Sequence, residues 1–118
     1  MTMEIVTLIG SSAQRDDFEV HVKRLVLEDF CPLCIGVYLA DETENYNRET
    51  ELKKQLMLAH QKRIAIADII GIIRKSDGGV GASTLSEILF AHELHKEVRY
   101  ANDITRESYE KEEQDANR

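Results

Sequence analysis

Basic residues are the scarce charges of this chain. Its 118 residues hold 15 Lys and Arg against 22 Asp and Glu, a formal net charge of -7. Nucleic acid partners want Lys and Arg gathered against phosphates, so this balance argues against a nucleic-acid-binding role. Long apolar runs are missing too: none reaches the length of a membrane span. The opening MTMEIVTLIG lacks the charged region and cleavage site of a secretory signal. The expectation is a cytoplasmic protein with no membrane partner. Cysteine is rare, with only Cys31 and Cys34, which fits a reducing compartment. Together with the one proline they spell CPLC. A redox pair should open a helix, whose N-terminus favours the thiolate. This pair opens a predicted strand, and no second pair completes a zinc site. The plain reading is two ordinary strand-start cysteines. His92 and His95 stand three apart with no third ligand in view. Neither metal nor cofactor is expected. There is no internal repeat and no linker, and the length suits one domain with one core.

What is present is organised around residues 78–100, GGVGASTLSEILFAHELHKEVRY. Gly78, Gly79 and Gly81 make a loop that can take positive φ or approach a ligand closely. Ser83 and Thr84 are good helix N-caps. Leu85, Ile88, Leu89, Ala91 and Leu94 outline an apolar helical face, and residues 98–101 read as a strand. Upstream, residues 68–73 (DIIGII) read as a buried parallel strand. The unit is therefore strand, glycine loop, helix, strand, a right-handed βαβ crossover. A helix N-terminus after a glycine loop suits an anion such as phosphate.

Residues 4–10 (EIVTLIG) form the expected first strand, ending in Gly10, Ser11 and Ser12. A strand, a Gly/Ser turn and a helix are the usual nucleotide or phosphate corner of a doubly wound sheet, although the GxGxxG fingerprint is absent. Residues 15–28 read as a helix with Phe18, Val22, Leu25 and Val26 on one face. Residues 31–39 read as the second strand, 41–48 as a polar loop and 49–66 as a long helix. The order β-α-β-α-β-α-β predicts an α/β three-layer sandwich: a small, mostly parallel, doubly wound Rossmann-like sheet of four to five strands. That domain covers residues 1–102, and residues 103–118 are a charged tail, solvated as a helix or frayed. Ligands in such sheets bind beyond the carboxyl ends of the strands. Those ends are residues 10–15, 38–41, 74–84 and 102, and their candidates are Gly10, Ser11, Ser12 and Arg15, then Tyr38, then Gly79, Gly81, Ser83 and Thr84, then Asn102.

Each candidate has a plainer alternative. Thr84-Leu85-Ser86-Glu87 matches a capping box, so Glu87 is either a cap or the reactive carboxylate. His60 is a hydrogen-bonding acid or base, or simply a helix residue near the sheet edge. Asp68 reads as orienting a loop or capping rather than reacting. Ser11 and Ser12 bind a ligand or only make the turn. Tyr38 stacks on a base or merely ends a strand.

The ordered set Gly10-Ser11, His60 with Ile64 and Ala67-Asp68, Gly78-Gly79, Gly81-Ala82-Ser83-Thr84, Glu87-Ile88 and Lys96-Glu97-Val98-Arg99-Tyr100 resembles the nucleoside 2-deoxyribosyltransferase-like superfamily. That superfamily includes 2'-deoxynucleoside 5'-phosphate N-hydrolases, and the likeness is strongest to small bacterial and phage members. It runs from about residue 4 to residue 101. The resemblance implies that Glu87 is a nucleophile attacking the anomeric carbon, with a glycosyl-enzyme intermediate released to water or to another base. It implies that Ser11, Ser83 and Thr84 hold a sugar hydroxyl or a 5'-phosphate. It also implies a small-molecule nucleoside or nucleotide partner and a homo-oligomer, most simply a dimer. Leu89, Phe90 and Leu94 are more apolar than one helix face needs, and some are expected at that two-fold.

Overall fold

The computed structural model of the chain describes residues 3–11, 14–34 and 46–116. The order is β1 (Ile5–Ile9), α1 (Arg15–Leu27), β2 (Cys31–Leu33), α2 (Tyr46–Ile66), β3 (Ile69–Ile72), α3 (Ala82–Glu93), β4 (Glu97–Tyr100), a 3-10 turn (Ala101–Asp103) and α4 (Arg106–Ala116). The sheet has four strands in the order β2-β1-β3-β4, and every pairing is parallel. This is the α/β sandwich with a parallel Rossmann-like sheet that the strand–helix alternation predicts.

Strand parity sorts the core into two layers. Val6 and Leu8 of β1 and Ile69 of β3 face one way and pack with Phe18, Leu25, Phe30, Ile73 and Ile104. Tyr109 of α4 joins this cluster, so α1 and α4 cover that side. Ile9, Ile70 and Ile72 face the other way and meet Ile64 of α2 and Ala91 of α3. All of β3 is buried, as its unbroken apolar run requires.

Several expected details change. The second strand is described over Cys31–Leu33, while residues 35–39 of the expected strand lie outside the described residues. Helix α2 begins at Tyr46, inside the expected polar loop. The inner face of α3 is not the expected one. Leu85, Leu89 and Leu94 are exposed, while Thr84 and Ala91 are buried. The chain has apolar residues on two sides of this helix, and the sheet takes the side centred on Thr84, Ile88 and Ala91.

The C-terminal segment is tied to the first layer. The Thr105 hydroxyl accepts the Ser108 amide at 3.1 Å and caps α4. Arg106 donates to the Glu28 carbonyl at 3.1 Å and the Asp29 carbonyl at 2.8 Å, and it pairs with Glu4 at 2.8 Å. Its guanidinium lies 4.0 Å from the centroid of the Phe30 ring. Arg24 of α1 donates to the carbonyls of Ala101 and Ile104 at 2.7 and 2.8 Å, which fixes the approach to α4.

Candidate active site

The loop before α3 closes on itself. The Gly78 amide donates to the Lys75 carbonyl at 2.8 Å, and the Lys75 amide donates to the Gly79 carbonyl at 2.9 Å. The Asp77 carboxylate accepts the Gly79 amide at 2.8 Å. Gly78 takes φ 86°, a region open to glycine and costly to other residues. The glycines therefore build a tight turn that delivers the chain to α3, and the Gly78 and Gly79 amides are already bonded within it.

Gly81 is the N-cap of α3 and supplies no side-chain cap. The first helical bond runs from the Leu85 amide to the Gly81 carbonyl at 3.0 Å. The amides just after Gly81 thus point out of the helix end, where the dipole is positive. A methyl group on Gly81 would stand 3.9 Å from the Lys75 ammonium. Lys75 is therefore a cation beside that helix end, a placement made by the turn and invisible in residue spacing.

This start settles how Glu87 is used locally. With Ala82 as the first helical residue, Glu87 lies in the second turn, beyond the reach of a capping box. Its carboxylate turns toward α2 instead. Glu87 Oε2 lies 3.2 Å from His60 Nε2, and the two side chains are 26% and 5% exposed. The approach lacks the alignment of a hydrogen bond, and His60 Nδ1 is buried without a partner in the protein. Thr84 is buried one turn before Glu87 on the same face. The level of His60 is set by the sheet: the Thr7 hydroxyl of β1 donates to the Arg63 carbonyl at 2.7 Å, one turn along α2.

Gly10, Ser11 and Arg15 follow β1, Gly79, Gly81, Ser83 and Thr84 follow β3, and Asn102 follows β4. All stand at the carboxyl end of a parallel sheet. The loops after β1 and β3 are tied directly. The Ser11 carbonyl accepts the Gln14 amide at 3.0 Å, and the Gln14 side chain donates to the Arg74 carbonyl. Arg74 in turn lies 4.1 Å from the centroid of the Tyr100 ring, linking β3 to β4. Gln14, Arg74 and Lys75 fall inside the strand-end stretches marked in the sequence, but nothing in their spacing singles them out. Ser12 and Tyr38 lie outside the described residues. Asp68 sits at the opposite end of the sheet and accepts the Ile5 amide at 2.7 Å.

Among the described residues no group of three His, Cys, Asp or Glu could hold a metal ion, and Cys31 and Cys34 are free thiols. Among them, too, no helix is long and apolar enough to cross a membrane. No protein-family model matches the chain, and no curated protein matches it.

Proposed function

We propose that the chain cleaves the N-glycosidic bond of a (deoxy)nucleoside or nucleoside 5'-monophosphate, or transfers the sugar to another base. The observation that carries this reading is the partly buried Glu87 carboxylate, held off its own helix end and 3.2 Å from buried His60. One oxygen of Glu87 faces the imidazole, and the other is left to attack the anomeric carbon. Attack forms the carbon–oxygen bond of a glycosyl ester as the carbon–nitrogen bond breaks, and the base leaves with that electron pair. Water or a second base then displaces Glu87. His60 packs against the carboxylate and limits where it can turn. A 5'-phosphate fits the amides at the start of α3 beside Lys75, with Ser11 and Ser83 as further donors. The compartment we assign is the cytoplasm, and the functional unit a homodimer.

The test is release of free base from a panel of nucleosides and monophosphates, followed by chromatography. Glu87→Gln keeps the shape of the side chain but cannot form the ester. Cleavage should fall by several orders of magnitude, with the melting temperature shifted by only a few degrees. Full activity in folded Glu87→Gln would overturn the nucleophile.

A second reading, a nucleotide- or phosphate-binding module without turnover, is favoured by the uncapped start of α3. That helix end takes an anion whether or not Glu87 reacts. Binding of a monophosphate with no base released by the wild type would select it.

A further inference from the structure

Among the described residues β4 is an edge strand, with no neighbour in the sheet on one side of its backbone. Its sequence is Glu97-Val98-Arg99-Tyr100. Glu97 and Arg99 lie on one face and pair with each other. Edges are commonly blunted by charge, but these two charges are opposite in sign and straddle Val98. That pattern is self-complementary in one arrangement only. When two β4 strands run antiparallel about a two-fold axis at Val98, Glu97 of each lies opposite Arg99 of the other. Opposite charges directly across a strand pair are favourable, and like charges are not.

The face beside this edge carries exposed apolar side chains from α3. At about 100° per residue, Leu85, Ile88, Leu89 and His92 form one stripe along α3. Ile88 and His92 line an open groove of about 620 Å³ with Val98 and Tyr100, and Arg99 and Asp103 line it as well. Leu85 is 51% exposed, Leu89 57% and Tyr100 43%. A two-fold axis perpendicular to the sheet at Val98 keeps both copies of α3 on the same side and turns these stripes toward each other. The same axis thus satisfies the backbone edge, the charges and the apolar stripe.

We propose that two copies of this chain join edge to edge through antiparallel β4 strands centred on Val98, with the two α3 stripes closing over the junction. The two sheets become one continuous sheet of eight strands, parallel within each copy and antiparallel at the seam. This rests on the dimeric part of the functional reading and is independent of turnover at Glu87. The α3 residues shared across the two-fold are then Leu85, Ile88 and Leu89. Phe90 lies elsewhere on that helix, and Leu94 is its C-cap.

Charge exchange across the seam tests it. Glu97→Arg places Arg against Arg at both crossings, and Arg99→Glu places Glu against Glu. Sedimentation velocity at tens of micromolar should give the wild type at about twice the 13.5 kDa of one chain. Each single variant should sediment as a monomer, folded by circular dichroism. The double variant Glu97→Arg, Arg99→Glu should return to the dimer. Mixing the two single variants should give a heterodimer, because each then meets its opposite. A monomeric wild type overturns the dimer and the seam together. A dimer that persists in both single variants overturns the seam and places the interface elsewhere. Monomeric single variants that fail to combine on mixing also overturn the seam, since loss of the pair inside each chain explains them without it.

Discussion

At the residue scale, several side chains serve a neighbour that their motif does not name. Gly10 belongs to a Gly-Ser turn suited to phosphate, yet a methyl group there would stand 2.9 Å from the Ile73 carbonyl oxygen and 3.2 Å from its Cβ. The close approach it permits is between the ends of β1 and β3. Thr84 and Glu87 have the spacing of a cap, yet both are drawn inward because the helix begins earlier, at Ala82. His21 is a third case. Its Nδ1 lies 3.2 Å from the Arg24 guanidinium, which is itself held by the Ala101 and Ile104 carbonyls. Burial first, and then the Arg24 charge, push His21 below its usual value, with Asp17 opposing. The folded protein therefore binds this proton less readily than the unfolded chain, where His titrates near ~6.5. The stability contribution is present above that value and is lost as the pH falls through the lower, folded value. Urea unfolding at mildly acidic and neutral pH should show wild-type stability dropping toward acid. His21→Gln, which cannot take up the proton, should drop less. Equal drops in the two proteins would remove His21 as the cause.

At the element scale, α4 shows how few residues can hold a helix. It is highly charged, and Tyr109 reaches the core cluster of its layer. Arg106 supplies much of the remaining attachment, through two carbonyls, Glu4 and the Phe30 ring. Arg106→Ala removes charge-assisted bonds and a cation–π contact, worth on the order of 2 kcal/mol together. Hydrogen exchange should show α4 amides losing protection while β1 and β3 keep most of theirs. Uniform loss across the chain would mean that α4 is no separate unit of opening. Such attachment is hard to read in sequence, because an Arg that packs on a ring and bonds carbonyls looks like any surface charge. The strands β1 and β3 are legible because buried parallel strands need unbroken apolar runs. The inner side of α3 is not, since Leu85 and Leu89 compete with Ile88 and Ala91 in the same period. For the candidate site, strand order is enough to place Gly10, Ser11, Gly81 and Ser83 at one end of the sheet. The Glu87–His60 contact depends on the phase of two helices, although the four-residue step from His60 to buried Ile64 marks the inward side of α2.

For the whole molecule, the question is whether two layers that share one sheet behave as one structure. Ile69 and Ile70 are neighbours on β3 and both are fully buried, but they enter different clusters. Ile69 packs toward α1 and α4, and Ile70 toward α2 and α3. The strand between them is central and hydrogen-bonded to β1 and β4 on its two sides. Neither layer can lose its packing without releasing β3, and β3 carries the other layer with it. A domain of this size should therefore unfold in one transition. Ile69→Val and Ile70→Val each remove one buried methylene, at a cost of ~1 kcal/mol, against a total of about 5–15 kcal/mol for a domain. Both proteins should stay folded and melt a few degrees lower. Far-ultraviolet dichroism, which follows the backbone, and tyrosine near-ultraviolet dichroism, which reports side chains such as Tyr109, should shift together in each variant. The double variant should lose close to the sum of the two, because the side chains touch different clusters although their backbones adjoin. If Ile69→Val moved the tyrosine transition and left the backbone transition in place, the α1–α4 layer would be a separate unit. The sheet would then serve as a platform for two independent layers rather than as the common core of one.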